Sequence, residues 1–169
     1  MAQLARTKGF SLIEVLIATV LVGMAIAALV AANGSFSMAN VAGADLSTAE
    51  FLIEQIRELT TMLPVVEPLA TTWTVLGPEA GETLATYDDV DDLDGFNSAS
   101  LGGPMNAQRA ALPNLAAFSQ QVTVQKLNPS DFNEAWSDSS TTTSFVRITV
   151  SILENGRPVT AASWIRARY

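Results

Sequence analysis

The chain contains no cysteine and no histidine. Without cysteine no disulfide can staple it, and no thiolate can serve as nucleophile or metal ligand. Without histidine the usual zinc and copper ligand sets are missing, and so are Ser-His and Cys-His catalysis. Basic residues are few, 9 Lys and Arg against 17 Asp and Glu, for a formal net charge of −8. General nucleic-acid binding needs a basic face for phosphate contacts, and this balance argues against it. Proline is absent before Pro64, so no residue in the first third of the chain removes a helical hydrogen bond by lacking its N–H. Charge is scarcest between Phe10 and Ala32, where Glu14 is the only ionisable side chain. As a helix rising about 1.5 Å per residue, that run extends roughly 34 Å, enough to cross a hydrocarbon core of about 30 Å. A carboxylate in lipid costs about 2.5–3.5 kcal/mol or more and marks a functional position by default. Glu14 therefore needs a use.

The residues before the apolar run supply a context. Arg6 and Lys8 precede it and no acidic residue comes before Glu14, so the N-terminal end should stay cytoplasmic under the positive-inside tendency. Gly9 lacks a side chain that would clash as extended backbone enters a protease site. The segment reads as retained rather than as a secretory signal peptide. Gly9-Phe10-Ser11-Leu12-Ile13-Glu14 resembles the prepilin cleavage and methylation motif of type IV pilins and type II secretion pseudopilins. The resemblance covers roughly the first third of the chain. It implies that a prepilin peptidase cuts between Gly9 and Phe10, that the Phe10 amine is N-methylated, and that Glu14 serves filament assembly. It also implies an α+β fold, with a long N-terminal helix packed on a small C-terminal antiparallel sheet. Two departures from the family pattern, the missing C-terminal disulfide loop and the missing helix-breaking proline, point away from a major pilin. They favour a pseudopilin or minor pilin.

Beyond the apolar run, Leu46, Ala49, Leu52, Ile53, Ile56, Leu59 and Leu63 recur at helical spacing, the pattern of an amphipathic helix. Ser47-Thr48-Ala49-Glu50 has the form of a capping box that would begin a new helix. The resemblance instead favours one nearly continuous helix from Phe10 to Met62, bent near Gly34 to Gly43. Pro64 ends it by pushing the residue before it out of the helical region. Gly23 reads equally as a tolerated small residue or as a hinge. The expected organisation is a leader at 1–9, a transmembrane or filament-core helix at 10–32, an amphipathic helix at 33–63 and a globular body at 64–169.

Within the body, Thr71 to Leu76 reads as a short strand anchored by Trp73. From Glu79 the chain turns acidic, with Asp88, Asp89, Asp91, Asp92 and Asp94 between Tyr87 and Phe96. Aspartates this dense repel one another unless solvated or neutralised by a cation. Both readings stand here: a solvated acidic loop at 88–95, or a Ca2+ site, since Ca2+ takes six to eight oxygen ligands. The spacing is not that of an EF-hand, because counting back from Gly95 puts the first ligand position on Val90. Ser98 to Gln108 reads as loop. Gln121 to Leu127 alternates as a strand and is stopped by Asn128-Pro129. Asp131 to Ser144 is polar, with Phe132 and Trp136 as isolated anchors. Phe145 to Leu153 and Pro158 to Arg168 flank Asn155-Gly156, a strong hairpin signal. Arg147, Arg157, Arg166 and Arg168 make that hairpin basic, which suits either a contact with another subunit or a charge-protected sheet edge.

These readings converge on a structural subunit, not an enzyme. The expected function is that of a pseudopilin or minor pilin, most specifically of a type II secretion pseudopilus. The expected site is the bacterial inner membrane in single-pass form, with a periplasmic body, then a filament. Its partners would be prepilin peptidase, other pilin or pseudopilin subunits and the inner-membrane assembly platform. The alternative is an adhesion or DNA-uptake pilin that displays a binding head, which an exposed basic or aromatic patch would favour. A carboxylate enzyme working from the aspartate loop is the remaining rival; catalytic pairs need fixed separations and split pKa values, which one flexible loop does not supply.

Overall fold

Lack of proline and a run of good helix formers produce a single α-helix, α1, over Leu12–Met62. The computed structural model describes residues 9–66, 76–137 and 143–168. The basic leader and nearly all of the expected strand at 71–76, with Trp73, lie outside the described residues. The chain divides into two compact units, Met1–Ala44 and Asp45–Tyr169.

In the first unit, every residue from Gly9 to Ala44 is exposed. Thr19 and Ser35 turn their hydroxyls back onto the carbonyls of Leu16 and Ala31, at 2.9 and 3.2 Å. That back-bonding satisfies polar groups inside the helix itself, as an apolar surrounding requires. The helix is long and apolar enough to cross a membrane. A Cβ at Gly23 would meet nothing within 4 Å, so no contact among the described residues accounts for its small size.

The second unit is built on the amphipathic end of α1. Ala49, Leu52, Ile53, Ile56 and Leu59 are buried, the i, i+3, i+4, i+7 stripe that one helix face presents to a sheet. Leu46, expected on that stripe, is 42 % exposed; the stripe starts one turn later. The capping-box sequence at Ser47 does not start a helix, because α1 runs through it. The helix stops before Pro64, and its terminal carbonyls are met from elsewhere in the fold. Arg166 donates to the Leu63 carbonyl at 2.9 Å, supplying the cation that the last turn itself lacks.

Four antiparallel strands complete the unit: β1 (Phe118–Asn128), β2 (Asp131–Ala135), β3 (Phe145–Glu154) and β4 (Arg157–Ala167). Their order across the sheet is β2-β1-β3-β4. Alternation decides which face each side chain takes. Val146, Ile148, Val150 and Ile152 of β3 and Val122 and Val124 of β1 join the buried helix stripe in one core. The β3–β4 turn holds Asn155 and Gly156 at φ of 48° and 77°, the two positive values that a hairpin turn matched to strand twist demands. β1 begins three residues earlier than the alternation at Gln121 suggests. β2 lies in the polar stretch that begins at Asp131; all five of its residues are exposed, so no apolar alternation marked it. Phe132 of β2 lies against Phe145 with ring centroids 4.8 Å apart.

The link between α1 and β1 is held by polar side chains. Gln120 on β1, fully buried, accepts from the Met105 N–H at 2.9 Å and donates to the carbonyls of Met105 and Leu52, each at 3.0 Å. It joins strand, loop and helix at one point. Arg109 donates to the carbonyls of Leu84, Ala85 and Tyr87 and so gathers the turn that precedes the aspartate run.

Candidate functional sites

Two groups of residues singled out in the sequence sit in different units. At the N-terminal end Gly9 and Phe10 are exposed ahead of the first helical turn. The Glu14 N–H donates to the Ser11 hydroxyl at 3.3 Å, and the Ser11 N–H donates to the Glu14 carboxylate at 3.4 Å. This reciprocal pair is a capping box, with Ser11 as the cap and Glu14 three positions on. The carboxylate also lies in the first turn, where the helix dipole favours negative charge. Glu14 thus has a local role that its isolation in an apolar run does not suggest. The S-x-x-E pattern at Ser11-Leu12-Ile13-Glu14 is the sequence signal for this cap.

The second group is the acidic segment. Asp89, Asp91 and Asp92 are 0 %, 1 % and 1 % exposed, so this is not a solvated acidic loop. A 3-10 turn over Asp91–Leu93 inserts Val90 and Leu93 into the core, and those two apolar anchors carry the neighbouring aspartates inward. Tyr87 and Phe96, at either end, pack on the same core. Backbone bonds fix the segment on both sides. The Val90 N–H donates to the Pro64 carbonyl at 3.0 Å and the Gly77 N–H to the Asp91 carbonyl at 3.1 Å.

The five aspartates divide by role. Asp89 Oδ1 accepts from the N–H groups of Asp91 and Asp92 at 2.8 and 3.2 Å. Asp92 Oδ2 accepts from those of Asp88 and Asp89 at 2.9 and 3.3 Å. Asp94 Oδ1 accepts from the Val124 N–H at 2.7 Å, fastening the segment to β1. Asp88 is exposed. Two carboxylates not singled out in the sequence join the group: Glu79, Glu82 and Asp92 offer oxygens within 4.8 Å of one another. The turn over 79–82, closed by the Glu82 N–H donating to the Glu79 carbonyl at 3.1 Å, brings the glutamates back toward the aspartates. Sequence spacing alone does not reveal that return.

Burial and mutual repulsion push three of these carboxyls upward. Burial raises Asp89 to about 8, aided by the neighbouring Asp91 carboxyl. Asp92 rises to about 7 through burial and the Glu82 carboxyl beside it. Asp91 rises to about 6 through burial, with the charges of Glu79 and Asp92 adding to it. The desolvation penalty falls on the charged form in each case.

Residues 4–32 match the family model described as the prokaryotic N-terminal methylation motif. No curated protein and no solved structure compared with the chain matches it.

Proposed function

We propose that the chain is a pseudopilin or minor pilin, processed by prepilin peptidase between Gly9 and Phe10 and assembled into a filament of the type II secretion kind. The observation that carries this reading is the methylation-motif match at residues 4–32. It coincides with a helix whose apolar side chains are uncovered throughout the first unit. Phe10, Leu12, Leu21, Met24 and Leu29 are each at least 60 % exposed. Such a surface needs lipid or other helices around it. In the membrane, lipid fills that need while Arg6 and Lys8 hold the N-terminal end on the cytoplasmic side. In a filament, helices of neighbouring subunits replace the lipid, and Gly23 and the alanines after it permit close approach. Glu14 then meets the Phe10 amine of a neighbour. Coulombic gain and desolvation largely cancel for a buried pair, so the contact acts chiefly on register: a subunit out of step leaves a charge buried and unpaired.

Processing is the direct test. Intact-mass analysis of membrane-extracted protein should show loss of residues 1–9 and one added methyl group. Gly9→Val should block the cut, because a β-branched side chain restricts the backbone at the scissile bond. Recovery of the full-length chain from cells with an active prepilin peptidase would overturn the reading.

A further inference from the structure

We infer that Glu79, Glu82, Asp89, Asp91 and Asp92 form a Ca2+ site that fastens the α1–β1 connection. An acidic cluster alone would not carry this, since carboxylates are often merely solvated. Here they are not. Five carboxylate oxygens are buried without a hydrogen-bond donor among the described residues: Glu79 Oε2, Asp89 Oδ2, both Asp91 oxygens and Asp92 Oδ1. Buried acceptors are nearly always paired, and each one left bare costs about 1–3 kcal/mol, more when charged. A fold that gathers five of them without a backbone or basic donor is arranged around something positive: protons shared between the paired carboxyls Asp89–Asp91 and Asp92–Glu82 when metal-free, and a cation when it is bound.

Asp91 is the most telling member. Its backbone carbonyl accepts from Gly77, yet both of its carboxylate oxygens are bare in a residue that is 1 % exposed. Its carboxyl faces that of Asp89, and the charges of Glu79 and Asp92 act on it as well.

The donor chemistry selects the ion. With no His and no Cys in the chain, zinc and copper lack their usual ligands. Mg2+ keeps several waters and takes one or two carboxylates in strict octahedral geometry, whereas Ca2+ accepts six to eight oxygens in flexible arrangements. Ca–O distances of about 2.3–2.6 Å allow two ligands of one ion to lie at most roughly 5 Å apart. The Glu79, Glu82 and Asp92 oxygens, all within 4.8 Å of one another, meet that limit. Asp88 and Asp94 fall outside the ligand set, the first exposed and the second bonded to Val124. The ion would cross-link the 79–82 turn to the 89–92 turn. Through the Val90–Pro64 bond it would also hold the exit of α1.

The test uses the full chain in detergent micelles, stripped with chelator and titrated with CaCl2 or MgCl2 by calorimetry. Saturable Ca2+ uptake is expected at or below about 1 mM, with Mg2+ clearly weaker. Loss of a charged ligand in Glu82→Gln should weaken Ca2+ by at least about tenfold, while Asp88→Asn stays within about twofold of wild type. Asp91→Asn separates a ligand from a merely structural aspartate. It should raise the melting temperature in chelator, by removing a buried charge, and lower Ca2+ affinity. No uptake up to about 5 mM, equal affinity for Mg2+, an Asp88→Asn loss as large as that of Glu82→Gln, or a lower melting temperature of Asp91→Asn in chelator would each overturn the assignment.

Discussion

At the scale of single residues, Glu14 carries two arguments that one substitution cannot separate. Its carboxylate closes a capping box with Ser11, worth about 0.5–2 kcal/mol of helix stability by analogy with other N-caps. The proposed assembly role needs its charge instead. Glutamine serves in a capping box as well as glutamate does but cannot neutralise an amine; leucine does neither. Glu14→Leu and Glu14→Gln should both insert into the membrane, and both should show a reduced share of protein in sheared filaments when wild-type partners are present. If the Gln variant assembles like wild type while the Leu variant does not, Glu14 is a cap and the charge argument fails. Gln120 shows the same residue-scale economy in the second unit. Its one amide satisfies three backbone groups from two segments, a role that no local sequence pattern announces.

At the scale of elements, α1 is one helix under two sets of demands. Along its first part every side chain is exposed, so substitutions there leave the fold of the second unit untouched. Along its last turns the stripe from Ala49 to Leu59 is buried against β1 and β3. Ile56→Ala should therefore destabilise the second unit by about 2–5 kcal/mol through lost burial and the cavity left behind. Leu46→Ala, at an exposed position one turn earlier, should change stability by no more than about 0.5 kcal/mol. Denaturant titration of the full chain in micelles, followed by the fluorescence of its tryptophans, checks both. Trp164 stacks on Arg57, with the guanidinium 4.8 Å from the ring centroid, and so reports on the helix–sheet contact itself. An equal effect of the two substitutions would mean that the buried stripe is misplaced by a turn.

At the scale of the whole molecule, the carboxylate cluster makes stability depend on pH. Asp89, Asp91 and Asp92 have folded-state pKa values of about 8, 6 and 7, raised from an ordinary 3.8. A raised pKa means that the folded state holds protons which the unfolded chain has already released. In chelator, the stability is fully present below about pH 4 and is lost as pH climbs through the folded-state values. The groups facing these carboxyls reinforce that direction: Glu79 and Glu82 are acidic, and the Tyr87 phenol, itself raised by burial, adds no positive charge. The metal-free melting temperature should fall between pH 5 and pH 8.5, and Asp91→Asn should flatten the slope. Saturating Ca2+ should reverse it, because the ion binds the deprotonated ligands. A flat profile in chelator would show that the three aspartates are not buried as described.

The sequence by itself determined the features that depend on local order along the chain. The Gly9–Phe10 junction, the apolar run holding Glu14, the helix stop before Pro64 and the Asn155-Gly156 hairpin all depend on neighbours within a few positions. Periodicity likewise placed Ala49, Leu52, Ile53, Ile56 and Leu59 on one face, since helical geometry repeats with the chain. Tertiary structure decided the rest. Whether Asp88 to Asp94 lie in water or in the protein depended on Val90 and Leu93 entering the core and pulling Asp89, Asp91 and Asp92 in with them. That Glu79 and Glu82 join the aspartates depended on a turn folding back, and β2 formed on exposed residues because β1 offered it an edge. Burial and convergence are properties of distant segments meeting, and a one-dimensional pattern carries them only where its own period enforces the meeting.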